Sequence, residues 1–469
     1  MLNKRFFLAA VSLMLMVAAC RSPKQMNERM PDFMQVDSLQ LPKPVDFFND
    51  ARLQAMLDTA MRNNPDYLAM QAGLQIQRAE LLARRHALLP NIDLFVGAAN
   101  RRFSEYSIDG VGNFDTNFSP NIRPDQRMPN PLPDYAVRVQ ASWELDLWGR
   151  LNNMRKAAAY RYMASEAGLR WQRASLAAMV AEAYYEILAL NEVVRIVKEN
   201  ISTQETAVEL VKLQQAAGRT TALAVQQSEA QLFRTRALAQ VVAQERLQAA
   251  NRMQLLMGKY PVQLLDTAGL MQSQAPTVLR AGIPAQWLLQ RPDLQQATAE
   301  LDATGMDVRS AQSAFFPRLM LTPDFGLHGF NAERFFDPAS LAWQIAGGLT
   351  APVFNQRQLK AGLMQAQARQ NQAFQQYRKV SLQAYSEVYE ALLLADNLDK
   401  TFEEKEKEVN SLRQGVKTAA ELFAAGYATY LEVIIAQNDV LVAEMELVKV
   451  QQERFANALL LYKALGGSW

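Results

Sequence analysis

The chain of 469 residues has very little cysteine and histidine, which limits its covalent and catalytic chemistry. Cys20 is the only cysteine, so no disulfide can form within the chain and its stability depends on packing alone. We interpret the two histidines as structural residues rather than metal ligands, with His86 near a helix end and His328 inside a strand.

Other signs of enzymes and nucleic-acid-binding proteins are also missing. The net charge is +2 and 20% of the residues are charged, which gives no indication of a nucleic acid or an acidic substrate. The sequence has no Walker loop, no dinucleotide-binding glycine motif and no serine elbow. The 20 methionines are scattered, which favours core packing over copper binding. We therefore predict that the protein is not an enzyme and has no metal site.

Long hydrophobic runs are absent after the first 19 residues, so no transmembrane helix is predicted there. Two basic residues and a short apolar segment are typical of a signal peptide, here over 1–19. Residues 17–20 read Val-Ala-Ala-Cys, a bacterial lipobox, which predicts a covalent lipid on Cys20 and a lipid-anchored linker over 20–49. The alternative is an ordinary secretory signal with a stray cysteine.

Proline is missing from two long stretches, and both are rich in helix-forming residues. None of the 19 prolines lies between positions 133 and 261 or after position 352. In each stretch one glycine after two alanines, Gly218 or Gly426, marks a helix end and a turn. The pattern predicts helical hairpins over 150–257 and 355–465, with first arms roughly 100 Å long.

The second arms of both hairpins show the 3,4 spacing of coiled coils, which indicates a neighbouring helix along their length. The positions are Leu232, Thr235, Ala239, Val242, Arg246, Ala249, Met253 and Leu256 in the first hairpin, and Leu441, Met445, Val448, Gln452, Phe455, Leu459 and Tyr462 in the second hairpin. We interpret both stripes as core rather than as cofactor sites.

Ahead of each hairpin the apolar residues alternate with a period of 2, which is typical of strands. The predicted strands are at about 90–106, 134–147, 317–330 and 340–354, preceded by helices at 50–89 and 285–316. One apolar and one polar face, with aromatics near the strand ends, indicate transmembrane β-strands, although a soluble antiparallel sheet also alternates. Four strands cannot close a barrel, so membrane strands require further copies of the chain.

The second half of the chain repeats the landmarks of the first. Asn64-Pro65-Asp66 returns as Arg291-Pro292-Asp293, and Gly218 returns as Gly426. A unit of about two hundred residues is too long for a solenoid repeat. We therefore expect two structural repeats, at 50–258 and 285–469, joined by a linker at 259–284.

Three segments resemble the TolC-type outer-membrane efflux channels, in particular their lipoprotein branch, and together they extend the resemblance over about 50–466. They are Trp143-Glu144-Leu145-Asp146-Leu147-Trp148-Gly149-Arg150 at a strand-to-helix junction, Arg291-Pro292-Asp293 with Ala314-Phe315-Phe316-Pro317, and Pro352-Val353-Phe354 followed by Arg357. The resemblance implies a mainly α fold with a transmembrane β part. It implies a homotrimer whose twelve-stranded outer-membrane barrel continues into a periplasmic α-helical barrel, and whose partners are a periplasmic adaptor and an inner-membrane pump.

The resemblance also implies roles for the hairpin turns as periplasmic tips that contact the adaptor and constrict the pore. The family pattern there is a glycine, then a hydroxyl residue and an acid. Gly218, Thr221, Gly426, Thr429 and Glu432 fit this pattern. Ala224 and Ile435 stand where relatives often have acids, which leaves one candidate carboxylate ring from Glu432. The alternative is that Glu432 is an ordinary acid at a helix start.

Two other classes of protein remain as alternatives. A periplasmic lipoprotein adaptor or coiled-coil scaffold would share the helical hairpins, but it would carry one hairpin rather than two alternating with strand pairs. A periplasmic enzyme or solute-binding lipoprotein is disfavoured by the missing site chemistry. Arg21 after Cys20 is compatible with the outer membrane. The transported substrate does not follow from the sequence.

Overall fold

The computed structural model describes residues 50–261, 270–272 and 288–467. The predicted signal peptide, the lipidation site Cys20 and most of the linker at 259–284 lie outside these ranges. The described helices are α1 (Ala51–Asn63), α2 (Pro65–His86), α3 (Ile108–Thr116), α4 (Arg150–Ala216), α5 (Ala222–Leu256), α6 (Pro292–Ser313), α7 (Gln356–Ala424) and α8 (Tyr430–Ala464). The strands are β1 (Asn91–Arg101), β2 (Leu132–Leu145), β3 (Arg318–Gly329) and β4 (Leu341–Thr350).

The order of elements in the first half recurs in the second. A helix leads into a strand pair, a very long helix follows, and a shorter helix returns along it. The two halves differ in the connection between their strands, which contains α3 in the first half and only a short 3-10 turn, Pro338–Ser340, in the second. The longer connection, of which α3 is a part, makes the first half longer than the second.

The four strands form one antiparallel sheet in the order β1-β2-β3-β4. The registers of the three strand pairs place Leu94, Val139, Phe325 and Trp343 opposite one another, in one row across all four strands. Pairing of β2 with β3 joins the two halves of the chain. At Gly326 the strands are so close that a Cβ atom would lie 2.2 Å from the carbonyl oxygen of Val137, so only glycine fits there.

Two strands are shorter than predicted. The strand predicted at about 90–106 ends at Arg101, where its pairing with β2 stops at Leu132. The strand predicted at 340–354 ends at Thr350, two residues before Pro352, which has no N–H to offer a ladder. The predicted helical segment at 50–89 is divided at Asn64, because Pro65 begins a new helix.

The two long helices, α4 with 67 residues and α7 with 69, carry the rest of the fold. Each is roughly 100 Å long at the α-helical rise. The shorter helices α2, α5, α6 and α8 all pack against α4, and α6 and α8 also pack against α7. No helix in the described part of the chain combines the length and apolar character needed to cross a bilayer.

The main core lies around the middle of α4, where α1, α5 and α8 meet. The coiled-coil positions predicted in both second arms are buried or half-buried, which confirms that the stripes form core. Tyr185 of α4 stacks on Phe455 of α8 with ring centroids 4.3 Å apart. Tyr184 donates a hydrogen bond to Asp50, the N-cap of α1, with an O–O distance of 2.6 Å. These contacts fix both α1 and α8 to α4.

Candidate functional site

One face of the sheet is apolar and exposed. Because side chains alternate along a strand, Leu94, Val139, Phe325 and Trp343 emerge on the same face, together with their neighbours two residues away. Large side chains there remain uncovered, with Leu94 69% and Trp343 69% exposed. An apolar surface of this kind is suited to lipid rather than to water.

The other face of the sheet is polar. The row on this face that follows from the register contains Asp93, Gln140, Asp324 and Gln344. In the next row the guanidinium of Arg138 lies 4.8 Å above the ring of Phe95. Near the outer end His328 and Asp134 are paired, with Nε2 and Oδ1 2.8 Å apart. His328 therefore lies in a strand, as predicted, with a side chain as its partner.

Within the described residues, neither edge strand has a partner on its outer side. There β1 pairs with β2 alone, and β4 with β3 alone. Nearly every residue of both edge strands is exposed in the isolated protomer. Unpaired backbone N–H and C=O groups in hydrocarbon cost several kcal/mol each, so the sheet cannot sit in a membrane in this open form.

The strand-to-helix junction after β2 is fixed by the motif residues at 143–150. Asp146 caps α4 by accepting hydrogen bonds from the backbone N–H groups of Leu151 and Asn152 at 3.0 and 2.7 Å. Gly149 takes the left-handed conformation with φ of 73°. Arg150 forms a bidentate ion pair with Glu144. The motif thus turns the chain from the sheet into the helical part.

The same motif also joins the two halves of the chain. The indole of Trp148 donates a hydrogen bond to the carbonyl of Pro317 at 2.7 Å and stacks on Phe316 with ring centroids 4.9 Å apart. Ser313 donates to the carbonyl of Trp148 at 2.9 Å. The sequence motifs were separately visible, but their mutual contact is a finding of the structure.

Each hairpin ends against the start of a helix in its own half. In the first half Asn64 donates to the carbonyl of Leu256 at 3.0 Å. In the second half Arg291 donates to the carbonyl of Ala464 at 3.1 Å and binds Asp293 and Glu387 at 2.7 and 2.8 Å.

The arginine at the second junction is 1% exposed and its guanidinium lies 5.2 Å from the ring centre of Trp171. Although burial opposes the charge, the carboxylates of Asp293 and Glu387 raise the pKa of Arg291. Lys463 shares the Trp171 ring, and burial lowers its pKa.

The two hairpin turns carry the predicted tip residues. Gly218 and Gly426 both end a long helix with positive φ, at 71° and 78°. Thr221 caps α5 through its hydroxyl, which accepts from the N–H of Ala224 at 3.3 Å. Thr429 begins α8 as part of a reciprocal capping box with Glu432, whose carboxylate accepts from the N–H of Thr429 at 2.6 Å. The predicted hydroxyl residues are therefore helix caps.

The tips of both hairpins pack together through a small apolar cluster. Val211, Ala224, Val225, Tyr430 and Val433 are its buried members. The methyl group of Ala224 is buried, so an acid at this position would lose its hydration. Burial in this cluster also raises the pKa of Tyr430. By contrast, Glu432 and Ile435 are exposed.

The chain matches a family model described as Outer membrane efflux protein over residues 56–259 and 283–467. It is 30% identical to the probable outer membrane lipoprotein SilC of Salmonella typhimurium, over 72% of this chain and 73% of SilC. It is 28% identical to the cation efflux system protein CusC of Escherichia coli O6:H1, over 90% of this chain and 87% of CusC.

The fold is similar to that in a crystal structure of CusC, described in connection with folding and transmembrane channel formation. The TM-score is 0.82 at 26% identity, and the match covers 95% of this chain and 99% of the solved one. This likeness spans the sheet, both hairpins and the junctions between them.

Proposed function

Since the chain belongs to the outer membrane efflux protein family, we propose that three copies of it close into one channel through their open sheet edges. The match to the family model and to solved relatives confirms the family resemblance inferred from the sequence. It also confirms the mainly α fold and the location in the outer membrane. The protein is an outer-membrane channel of a tripartite efflux system, which conducts passively and is not an enzyme. Family membership decides against the adaptor, scaffold and solute-binding alternatives.

The observation that carries the trimer is the open four-stranded sheet with an uncovered apolar face. Strand directions alternate across the sheet, so β4 of one copy can pair antiparallel with β1 of the next. Such pairing satisfies the edge N–H and C=O groups and continues the apolar face around a cylinder. Three copies supply twelve strands, which lies within the range of known membrane barrels.

Purified protein should migrate as a heat-sensitive trimer in detergent and should form pores in planar bilayers. We expect a variant with proline at Leu94 and Phe95 to lose the trimer, since N–H groups alternate in direction along a strand and proline at two consecutive positions of β1 removes one from the free edge. A matched variant carries serine at the same two positions, which keeps the N–H groups. A stable wild-type monomer without conductance would contradict the closed channel.

We further propose that the hairpin tips contact a periplasmic adaptor and that an inner-membrane pump selects the substrate. Support comes from the length of α4 and α7, which puts Gly218 and Gly426 roughly 100 Å from the sheet. Around these turns the side chains of Leu213, Leu223 and Tyr427 are 69%, 61% and 85% exposed. The covalent lipid on Cys20 is proposed from the lipobox, and mass spectrometry of the N-terminal peptide tests it.

The carboxylate of Glu432 is proposed to form a ring of three negative charges at the tip. Its exposure and its place at the start of α8 support this role, whereas its bond to the N–H of Thr429 gives it a structural role as well. Glu432→Gln separates the two, because the amide oxygen can still cap the helix while the charge is lost. We expect Glu432→Gln to reduce cation preference and block by multivalent cations in single-channel recordings.

The control for this experiment is Thr429→Ala, which removes the cap hydroxyl and keeps the carboxylate. It should keep the cation preference. If Glu432→Gln leaves preference and block as in the wild type, the residue is only a helix cap.

A further inference from the structure

The connection between β1 and β2, residues 102–131 or loop 1, carries an apolar stripe that no part of the described protomer covers. On α3 the side chains of Ile108, Val111 and Phe114 recur at helical spacing, and they are 93%, 57% and 68% exposed. Tyr106 ahead of the helix is 97% exposed and Phe118 after it is 71% exposed. No residue of α3 is buried.

The loop nevertheless has a defined conformation. The side chain of Asn117 donates to the carbonyl of Met128 at 2.9 Å and accepts from its N–H at 2.8 Å, which clips the loop after α3. Ser107 caps α3 by accepting from the N–H of Gly110 at 3.0 Å. The stripe is therefore presented by a capped, clipped helix rather than by an irregular segment.

The connection between β3 and β4, residues 330–340 or loop 2, is fastened to the part of loop 1 that leads into β2. Arg334 lies 3.5 Å from Asp125, and Asn331 donates to the carbonyl of Asp125 at 3.4 Å. Phe335 is turned inward and is 8% exposed, with its ring against Tyr135 at 6.2 Å. The next residue, Phe336, has its ring edge-on to Phe335 at 5.2 Å between centroids and is 83% exposed.

The exposed stripe of loop 1 and the exposed Phe336 of loop 2 each lie next to one unpaired edge of the sheet. The stripe of loop 1 follows the outer end of β1, and Phe336 precedes the outer end of β4 by a few residues. These ends meet where β4 of one copy pairs with β1 of the next. We propose that the apolar stripe of loop 1 docks against loop 2 of the adjacent copy, around Phe336. This proposal rests on the proposed trimer.

Charge favours a protein partner over the lipid surface. The segment 103–122 contains Glu105, Asp109 and Asp115 and no lysine or arginine. Peripheral helices that lie on anionic lipid carry basic residues on their polar face, whereas this one would be repelled. At the same end of β1, Arg101 and Arg102 are exposed, and loop 2 has Glu333 and Asp337 against the single basic residue Arg334. The contact is thus apolar at its centre, and at its edge Arg101 and Arg102 offset the repulsion between the acidic residues of 103–122 and those of loop 2.

Engineered cysteines can test this contact cleanly, because Cys20 is the only native cysteine. The double variant Tyr106→Cys with Phe336→Cys, purified in full length from membranes, should give linked dimers and trimers after mild oxidation. Each single variant serves as a control for self-linking and for Cys20. The pair Tyr106→Cys with Tyr427→Cys is the matched control, since Tyr427 is also exposed but lies at the opposite end of the molecule.

A second cysteine series tests the trimer separately, with Val96→Cys on β1 combined with Trp343→Cys or Ile345→Cys on β4. Seam pairs that link while the loop pair does not would overturn the loop contact and leave the trimer intact. If neither series links and the protein is monomeric, the proposed trimer fails as well.

Labelling of Phe114→Cys shows whether the stripe contacts protein, water or lipid. We expect slow reaction with a membrane-impermeant maleimide in the trimer and fast reaction after heat dissociation. Fast reaction in the intact trimer would mean that the stripe faces water, and labelling by a photoreactive lipid would mean that it faces the membrane. Either result overturns docking on the adjacent copy.

Discussion

At the end of each hairpin, the returning helix contacts a residue at the start of another helix in the same half. This residue is Asn64 in the first half and Arg291 in the second half. Both side chains donate to the last turn of the returning helix, to Leu256 and Ala464 respectively. Asn64 also accepts from the N–H of Tyr67 at 3.0 Å and so caps its own helix. The duplicated junction therefore keeps one interaction, the bond to a terminal carbonyl, in two chemical forms.

The two forms differ in reach. The amide of Asn64 binds groups within the first half. The guanidinium of Arg291 binds Asp293 and Glu387 within the second half and also lies over Trp171 of α4, which belongs to the first half. The second junction consequently ties both halves together, and it does so with a buried charge. A buried charge is costly when its partner is removed, so we expect the second junction to be the more sensitive of the two.

The largest effect is expected for Arg291→Ala. The change breaks the pairs with Asp293 and Glu387 and removes the donor to the Ala464 carbonyl, which should cost about 3 kcal/mol, since the Glu387 carboxylate is partly exposed to water. Thermal denaturation of the trimer, followed by circular dichroism, should show a much lower midpoint. Arg309→Ala, an exposed arginine on the same helix α6, is the control and should change little. Equal midpoints for the two variants would contradict the importance of the buried charge.

A smaller effect is expected for Asn64→Ala. The change removes one bond to the Leu256 carbonyl and one helix cap, which together should cost about 1–2 kcal/mol. The matched control is Arg62→Ala, which breaks an exposed ion pair and an exposed hydrogen bond to the carbonyl, both with Asp58. A loss as large as that of Arg291→Ala would show that charge does not distinguish the two junctions.

The smallest effect concerns pH, because the last turn of α8 contains a buried tyrosine, Tyr462, two residues before Ala464. Burial raises the pKa of Tyr462 from 10.0 to about 12. A raised pKa in the folded state means that this stabilisation is present below pH 10 and is lost as the pH rises through about 12. The corresponding position in the first half is Gln254, which does not titrate.

We therefore expect Tyr462→Phe to flatten the alkaline part of the stability curve between about pH 10 and 12. Denaturation midpoints at several pH values, for wild type and variant, measure this slope. The variant Tyr260→Phe is the control, since Tyr260 is 89% exposed. Parallel curves for wild type and Tyr462→Phe would remove the proposed pH sensitivity of this junction.

Prediction from the sequence succeeded where one local pattern decides the structure. The gap in proline, the glycines at 218 and 426 and the 3,4 spacing placed both hairpins and their buried stripes. The period of 2 placed the four strands, with errors only at their ends. The capping role of Thr221 and Thr429 also follows from a local signal, a hydroxyl residue directly before a helix.

The candidate site was harder to predict because its residues are brought together from distant parts of the chain. Arg291 was noticed as part of a motif, but its partners Glu387 and Ala464 gave no signal of their own. The sequence showed that Ala224 replaces the acid of the family's tip pattern. It did not show the reason, which is that Ala224 is buried in one cluster with Tyr430 of the other hairpin. The roles of the tip residues in adaptor contact and gating stay predictions.

The positions of the helices and strands, and their occurrence in two copies, follow from the order of residues, because helical and strand periodicities act over a few neighbouring residues. Three contacts between the halves became visible only in the folded protein: β2 pairs with β3, Trp148 binds the carbonyl of Pro317, and the buried Arg291 lies over Trp171. These contacts depend on how long helices pack along each other, and packing selects partners by shape and burial rather than by distance along the chain.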